Sequence, residues 1–317
     1  MKWRTEISVP RLDVEINHAT SMIMLGSCFT DEIGMRLRRQ LFDAEVNPSG
    51  ILFNPESIAD TITDALDDRR FTARELFEVD GTWRTIRRHS RFSLPDRDAT
   101  LRLLNSSLDT TRRRLLSADL LIVTFGSAIV HRHIPSGNVA ANCHKQPASL
   151  FSVEGIGVDD IISRWRSLLD RLFTLNPALK VIFTVSPVRH VGYGLQRDRL
   201  SKSTLIVAAN RLAGNRVSYF PSYEILVDDL RDYRWYAEDM VHPSPAAADY
   251  VYDIFRQSLM TPDTIARADK WGRLTRRMEH RHASPQAEAT FREQTIAMAQ
   301  ELAGADDALF QRFISLK

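Results

Sequence analysis

Ser21-Met22-Ile23-Met24-Leu25-Gly26-Ser27-Cys28-Phe29-Thr30-Asp31-Glu32 decides the fold of this chain. An apolar run that stops at a glycine reads as a strand buried on both faces. Thr30 reads as an N-cap, and Asp31 and Glu32 supply negative charge to a first helical turn, where the helix dipole favours it. The helix continues to about residue 41. A buried strand running directly into a helix is the opening half of a βαβ unit, whose next strand returns parallel to the first.

Outward from that stretch the theme repeats. Ala44-Glu-Val-Asn47 is a weaker strand, Pro48-Ser-Gly50 a turn, and Pro55-Glu56 opens a helix over about 58–66. Asp80-Gly81 between Phe77-Glu-Val79 and Thr82-Trp-Arg-Thr85 predicts a hairpin. A helix over 100–117 precedes the strongest strand, Leu120-Leu-Ile-Val-Thr-Phe125, which again ends at a glycine, Gly126. Segments 129–134 and 139–141 flank Pro135-Ser-Gly137 as a second hairpin. A helix over 158–173 leads to Val181-Ile-Phe-Thr-Val185, and one over 202–212 to Val217-Ser-Tyr-Phe220. A further helix follows Pro245 to about 259. Strands alternating with helices predict an α/β fold with a parallel sheet covered on both faces. Ligands of such sheets sit beyond the carboxyl ends of the strands, where Gly26, Gly126 and Ser186 fall. From residue 261 the composition turns rich in Ala, Arg, Glu and Gln without strand signals, so 1–260 reads as the main domain and 261–317 as a helical extension packed on it. Self-association or lid duty is the other reading of that extension.

The 317 residues are 44% hydrophobic and 26% charged, with a net charge of +2. That composition is globular, and the charge balance argues against nucleic acid as a partner. No run approaches the ~20 apolar residues of a membrane span, and the amino terminus lacks the apolar core of a secretory signal. The expectation is a cytoplasmic protein. Two cysteines, Cys28 and Cys143, do not make a disulfide framework.

The chemistry gathers at a few positions. Cys28 falls at a strand-to-helix turn, where free N–H groups lower a thiol pKa and the N–H of Phe29 or its neighbour contributes to an oxyanion hole. Asp239-Met-Val-His242 offers a base and the group that fixes its tautomer. Gly50 and Gly126 have backbone N–H groups to lend, and Asn142 an amide. Arg189 suits a substrate carboxylate or phosphate, and His190 rivals His242 as base. Cys143 and His144 form half a metal site with no second pair spaced to complete it, so no metal or cofactor is expected. Each piece also has a plain structural reading: a buried thiol, a surface loop closed by Pro243, turn glycines, an ion-paired arginine.

Several longer segments carry more. Lys2-Trp-Arg-Thr-Glu-Ile7, Leu25-Gly-Ser-Cys-Phe29, Asn47-Pro-Ser-Gly-Ile-Leu-Phe-Asn-Pro55, Asn142-Cys-His-Lys145, Phe183-Thr-Val-Ser-Pro-Val-Arg-His190, Tyr219-Phe-Pro-Ser-Tyr-Glu224 and the run from Leu230 to Ser244 resemble the GSCFA family, within the broad SGNH/GDSL hydrolase superfamily. Thr30 replaces the last Ala of the family signature. The resemblance implies a flavodoxin-like three-layer α/β/α (SGNH hydrolase-like) fold and acyl chemistry without a metal. It places Cys28 in the nucleophile column, with Ser27 one residue away as its rival, Asp239 and His242 as orienting acid and base, and Gly50 as second-block glycine. The usual third-block Gly-x-Asn-Asp falls on Gly126-Ser127-Ala128-Ile129, so the oxyanion Asn is missing there, with Ser127 or Asn142 as substitutes.

The function expected is that of an acyl hydrolase or acyltransferase acting on an ester, thioester or amide, its substrate a small-molecule or carrier-bound acyl group. Sulfur in place of oxygen gives a thioester intermediate, which amines and thiols intercept readily. The competing class is a non-catalytic binding module on the same scaffold, motivated by the missing Asn. Nucleic acid and membrane are not expected partners. Oligomeric state is open, with the C-terminal helices as the candidate interface.

Overall fold

The computed structural model describes residues 5–280 and 284–315. Residues 2–4 of the amino-terminal motif lie outside them. In chain order the elements are β1 (Ser21–Gly26), α1 (Cys28–Arg39), β2 (Asp43–Val46), α2 (Pro55–Leu66), β3 (Phe77–Val79), β4 (Thr82–Arg84), α3 (Arg97–Ser117) and β5 (Leu120–Phe125). There follow β6 (Ile129–His133), β7 (Val139–Ala140), β8 (Phe151–Gly155), α4 (Val158–Leu175), β9 (Lys180–Val185), α5 (Leu195–Leu212) and β10 (Val217–Phe220). The chain ends with α6 (Ser222–Glu224), α7 (Pro245–Leu259), α8 (Pro262–Glu279), α9 (Pro285–Ala303) and α10 (Asp307–Ile314).

Five strands form one sheet in the order β10-β9-β5-β1-β2, all neighbours parallel. Counted within this sheet, the order is second, first, third, fourth, fifth, which is the flavodoxin-like winding. Its switch point lies between β1 and β5, so the crevice opens above Gly26 and Phe125.

Alternate strand residues feed two cores. Ile23, Leu25, Leu121, Val123, Val181 and Phe183 pack under α2, α3, α4 and α5, with Trp165 buried among them. Met22, Met24, Leu120, Ile122, Ile182 and Phe220 pack under α1 and α7. The period of two along each strand and apolar helices on both sides make the three layers.

The Asp80-Gly81 hairpin forms as β3 and β4. The second hairpin, β6 and β7, gains a partner the sequence reading missed: β8 pairs antiparallel with β6, giving a separate sheet in the order β7-β6-β8. The helix α5 starts at Leu195 rather than 202. The α1 boundary also moves. Ser27, not Thr30, is the N-cap; its Oγ accepts from the Phe29 N–H at 3.3 Å, while Thr30 lies inside the first turn, its own N–H bonded to the Ser27 carbonyl. Cys28 is therefore the first helical residue.

The C-terminal helices share a core of their own, with Trp271, Leu274, Ala299, Leu309 and Phe313 around Leu41. Arg312 Nη1 donates to the carbonyls of Leu41 and His18. Both residues precede strands of the sheet, so α10 docks at the edge opposite the carboxyl ends. No helix among the described residues is long and apolar enough to cross a membrane.

Candidate active site

The turn from β1 into α1 is built so tightly that only glycine fits at its start. Gly26 has φ +147°, and a Cβ there would sit 2.3 Å from the Thr124 carbonyl oxygen. Its N–H donates to Asn47 Oδ1 at 2.8 Å and its carbonyl accepts from the Leu52 N–H. Asn47, fully buried, also donates from Nδ2 to Asp31 Oδ1 at 2.7 Å. Ser27 is 0% exposed and its hydroxyl is spent on the cap, whereas Cys28 is partly exposed. Of the two rivals, Cys28 is the more exposed residue.

Sequence reasoning expected the helix terminus to lower the Cys28 pKa, and the net direction is the reverse. Burial raises it first, and the Asp31 carboxylate adds to that. The backbone N–H groups of Cys28 and Phe29 and the charge of Lys202 favour the thiolate without prevailing. A resting thiol of this kind needs a base to become a nucleophile.

The loop before α7 carries a paired carboxylate and imidazole. His242 Nδ1 lies 2.6 Å from Asp239 Oδ2, while Asp239 Oδ1 accepts from the N–H groups of Val241 and His242, each at 2.9 Å. These bonds hold the Asp239 carboxyl down at about 2, the His242 backbone N–H contributing most. A donor role for Nδ1 leaves Nε2 with a free lone pair. The loop closes on itself through the Tyr236–Pro243 bridge and the Ala237 N–H to His242 carbonyl bond.

Further contacts tie this loop, and the helix after it, to the rest of the domain. The Arg189 N–H donates to the Val241 carbonyl at 3.1 Å, and Arg189 Nη1 to the Met240 carbonyl at 3.1 Å. Val241 and Cys28 pack against the same core, the one under α1 and α7. Arg36 of α1 bonds Asp249 Oδ1 at 2.7 Å and the Pro245 carbonyl, clamping the start of α7 beside α1.

The other predicted residues divide. Gly50 donates its N–H to Asn47, and the Gly126 and Ser127 N–H groups both donate to the Phe53 carbonyl, so none of the three is free for an oxyanion. Ser127 Oγ meets Ser201 Oγ at 3.3 Å and accepts from Ile129. Asn142 Oδ1 accepts from the His144 N–H, and His144 is buried with Nε2 bonded to the Thr85 and Arg88 carbonyls. The Asn142–His144 loop is thus a brace for residues 85–88. Among the described residues no three His, Cys, Asp or Glu side chains gather to hold a metal ion.

His190, the rival base, has its Nε2 buried with no hydrogen-bond partner among the described residues, and its ring stands edge-on to Phe53. Burial, with Lys202 nearby, pushes its pKa down to about 4. In this arrangement that nitrogen faces protein rather than solvent. It packs over Gly126, where a Cβ would lie 2.8 Å from the Phe53 carbonyl oxygen and 3.3 Å from His190 Nε2.

Sequence reasoning missed the polar face of α5. Lys202 is 0% exposed, and its Nζ donates to the Gly126 carbonyl at 2.6 Å and the Ser186 carbonyl at 2.8 Å. It bridges the carboxyl ends of β5 and β9, and burial lowers its pKa to about 8, with Asp198 and Cys28 acting to raise it. Buried Asp198 accepts from the His190 N–H, and Ser201 from the Ala128 N–H. The signal was present: Asp198, Ser201 and Lys202 continue the buried stripe of Leu205, Ala208, Ala209 and Leu212 at helical spacing.

The chain is thus a flavodoxin-like α/β/α protein with a cysteine at the turn after β1 and an Asp–His pair on the loop before α7. The chain belongs to the GSCFA family, whose model matches residues 21–255. It is similar to a carbohydrate esterase family 2 enzyme with its carbohydrate binding domain from Corynascus thermopiles (Myceliophthora fergusii), at 12% identity and a TM-score of 0.37, over 82% of this chain and 69% of that one. It is also similar to an acetyl xylan esterase, Est2A, from the rumen bacterium Butyrivibrio proteoclasticus, at 14% identity and a TM-score of 0.31, over 78% of this chain and 65% of that one. No curated protein matches it.

Proposed function

We propose that this GSCFA chain is an SGNH-like acyl hydrolase or acyltransferase that works on an ester, thioester or amide through an acyl-Cys28 intermediate. The observation that carries the reading is the Asp239–His242 pair, 2.6 Å apart, on a loop bonded to the segment after β9 and packed on the same core as Cys28. His242 Nε2 takes the thiol proton as Sγ bonds to the substrate carbonyl carbon, and the carbonyl π pair moves onto oxygen. The backbone N–H groups of Cys28 and Phe29 stabilise that oxyanion; the Ser27 Oγ bond to Phe29 is long enough, at 3.3 Å, to be shared. Collapse expels the leaving group, which takes the proton from His242. Water, an amine or a thiol then attacks the thioester, gives its proton to His242 and releases Cys28.

Asp239 stays ionised throughout and stabilises the imidazolium. The raised thiol pKa makes this base assistance essential, because the resting cysteine is protonated at neutral pH.

The test is intact-mass analysis after incubation with a panel of activated acyl esters and thioesters. One acyl mass is expected on the wild-type chain and none on Cys28→Ala. Full turnover by Cys28→Ala would overturn the reading. Partition of the acyl group between water and added amines or thiols separates hydrolysis from transfer.

A further inference from the structure

We infer that the cavity beside the Asp239–His242 loop is a subsite for an oxyanion group of the substrate, a phosphate or carboxylate set apart from the carbonyl that Cys28 attacks. This rests on the acyl-transfer reading above and names the substrate class for that site.

The cavity has a volume of about 450 Å³ and is lined by Arg189, Arg199, Arg231, Tyr233 and Tyr236. Arg234, on the same segment as Arg231, is committed to Asp232 at 2.7 Å. The three cavity arginines make no ion pair among the described residues. Asp228 and Asp232 also line the space, but Asp232 is engaged by the Arg234 side chain and N–H. That leaves Asp228 facing three guanidinium groups, a clear cationic excess.

Two of the guanidiniums are already positioned. Arg189 stands 5.1 Å from the Tyr236 ring centre and 5.7 Å from that of Tyr233, with Nη1 fixed on the Met240 carbonyl. Arg199 lies 5.6 Å from the ring centre of Tyr223. Held guanidiniums lose little freedom on binding, and their planar forks match the oxygens of phosphate and carboxylate. The tyrosines offer faces to whatever carries the anion.

Position joins the cavity to catalysis. Arg189 bonds the carbonyls of Met240 and Val241, and Tyr236 pairs with Pro243, so both flank His242 directly in the loop. An anion held here orients the rest of an acyl donor toward the imidazole, and neutral short esters forgo that contact.

The experiment is calorimetric titration of the full chain, at low salt, with inorganic pyrophosphate and separately with tricarballylate. Wild type is expected to bind at least one of them with a Kd below about 1 mM, and R199Q/R231Q to lose at least about tenfold in affinity. The preferred probe tells phosphate from carboxylate. Arg189 is left intact because it also holds the loop. Equal affinity in the double variant, confirmed folded by circular dichroism, or no binding of either anion, overturns the subsite. If arginine-dependent binding is found but no acyl adduct forms on Cys28 with any donor, the anion site stands and the acyl-transfer reading falls.

Discussion

The segment that carries the thiol and the segment that carries the imidazole are held in opposite ways. Residues 26–29 are fixed by the core: Gly26 abuts the β5 backbone, Asn47 pins its N–H, and Ser27 is 0% exposed. Asp239 and His242 are each 49% exposed at the side chain and bond chiefly to one another within their own loop. The Cys28 turn cannot be displaced without damaging the sheet. The Asp239–His242 pair is placed by a few polar bonds on a surface turn.

Asp239→Asn should give the largest effect in activity and among the smallest in stability. The amide cannot hold the Nδ1–H tautomer or stabilise the imidazolium, so kcat should fall by about a thousandfold or more. The urea midpoint should hardly move. A matching fall in both would show that the loop is structural. Gly26→Ala reverses the pattern. A Cβ 2.3 Å from the Thr124 oxygen cannot be accommodated without parting β1 from β5, so a loss of about 3 kcal/mol or more is expected by urea unfolding. A wild-type midpoint for this variant would mean the turn is looser than its geometry requires.

The next effect is one of pH. His190 is held neutral in the fold, with its pKa down at about 4 against an ordinary 6.5. As pH falls, the unfolded chain takes up the proton first, so stability is full above about pH 6.5 and is lost progressively toward pH 4. The loss should be on the order of 2 kcal/mol. His190→Phe sacrifices no hydrogen bond of the ring and should flatten this limb of the stability–pH curve. An unchanged limb would show that His190 titrates freely and is not sealed over Gly126.

Much of this architecture was legible in the sequence, and the exceptions share a cause. Strand-to-helix alternation and glycines at strand ends gave the parallel sheet, because those signals are local. The β8 strand was missed because Phe151-Ser-Val-Glu-Gly155 owes its form to pairing with β6, a tertiary matter. The cap was assigned to Thr30 because composition alone did not reveal that the Gly26 turn leaves Ser27 extended at ψ 175°. Cys28, Asp239 and His242 stood out by residue type and order along the chain. The thiol pKa did not, since helix-terminal N–H groups can be read from a sequence while burial and the facing Asp31 cannot. Nor could spacing reveal that Gly50, Gly126 and Ser127 spend their N–H groups within the scaffold.

The smallest predicted effect probes the joint between the two segments. Lys202 is buried from solvent, yet its charge lies close enough to Cys28 to favour the thiolate, and its Nζ ties together the ends of β5 and β9. It acts as a positioning residue. Its own pKa of about 8, against an ordinary 10.5, means the folded state gives up this proton more readily than the unfolded chain. Stability should therefore rise modestly from pH 8 to 10.5 in wild type and not in Lys202→Met. In that variant the Cys28 pKa should move further up, slowing alkylation by iodoacetamide at pH 7.5 by about threefold. Lys202→Arg retains the charge and should restore most of the rate if the substitution is accommodated. Because alkylation needs a thiolate but no oxyanion stabilisation, an unchanged rate in Lys202→Met would confine Lys202 to bracing the strands.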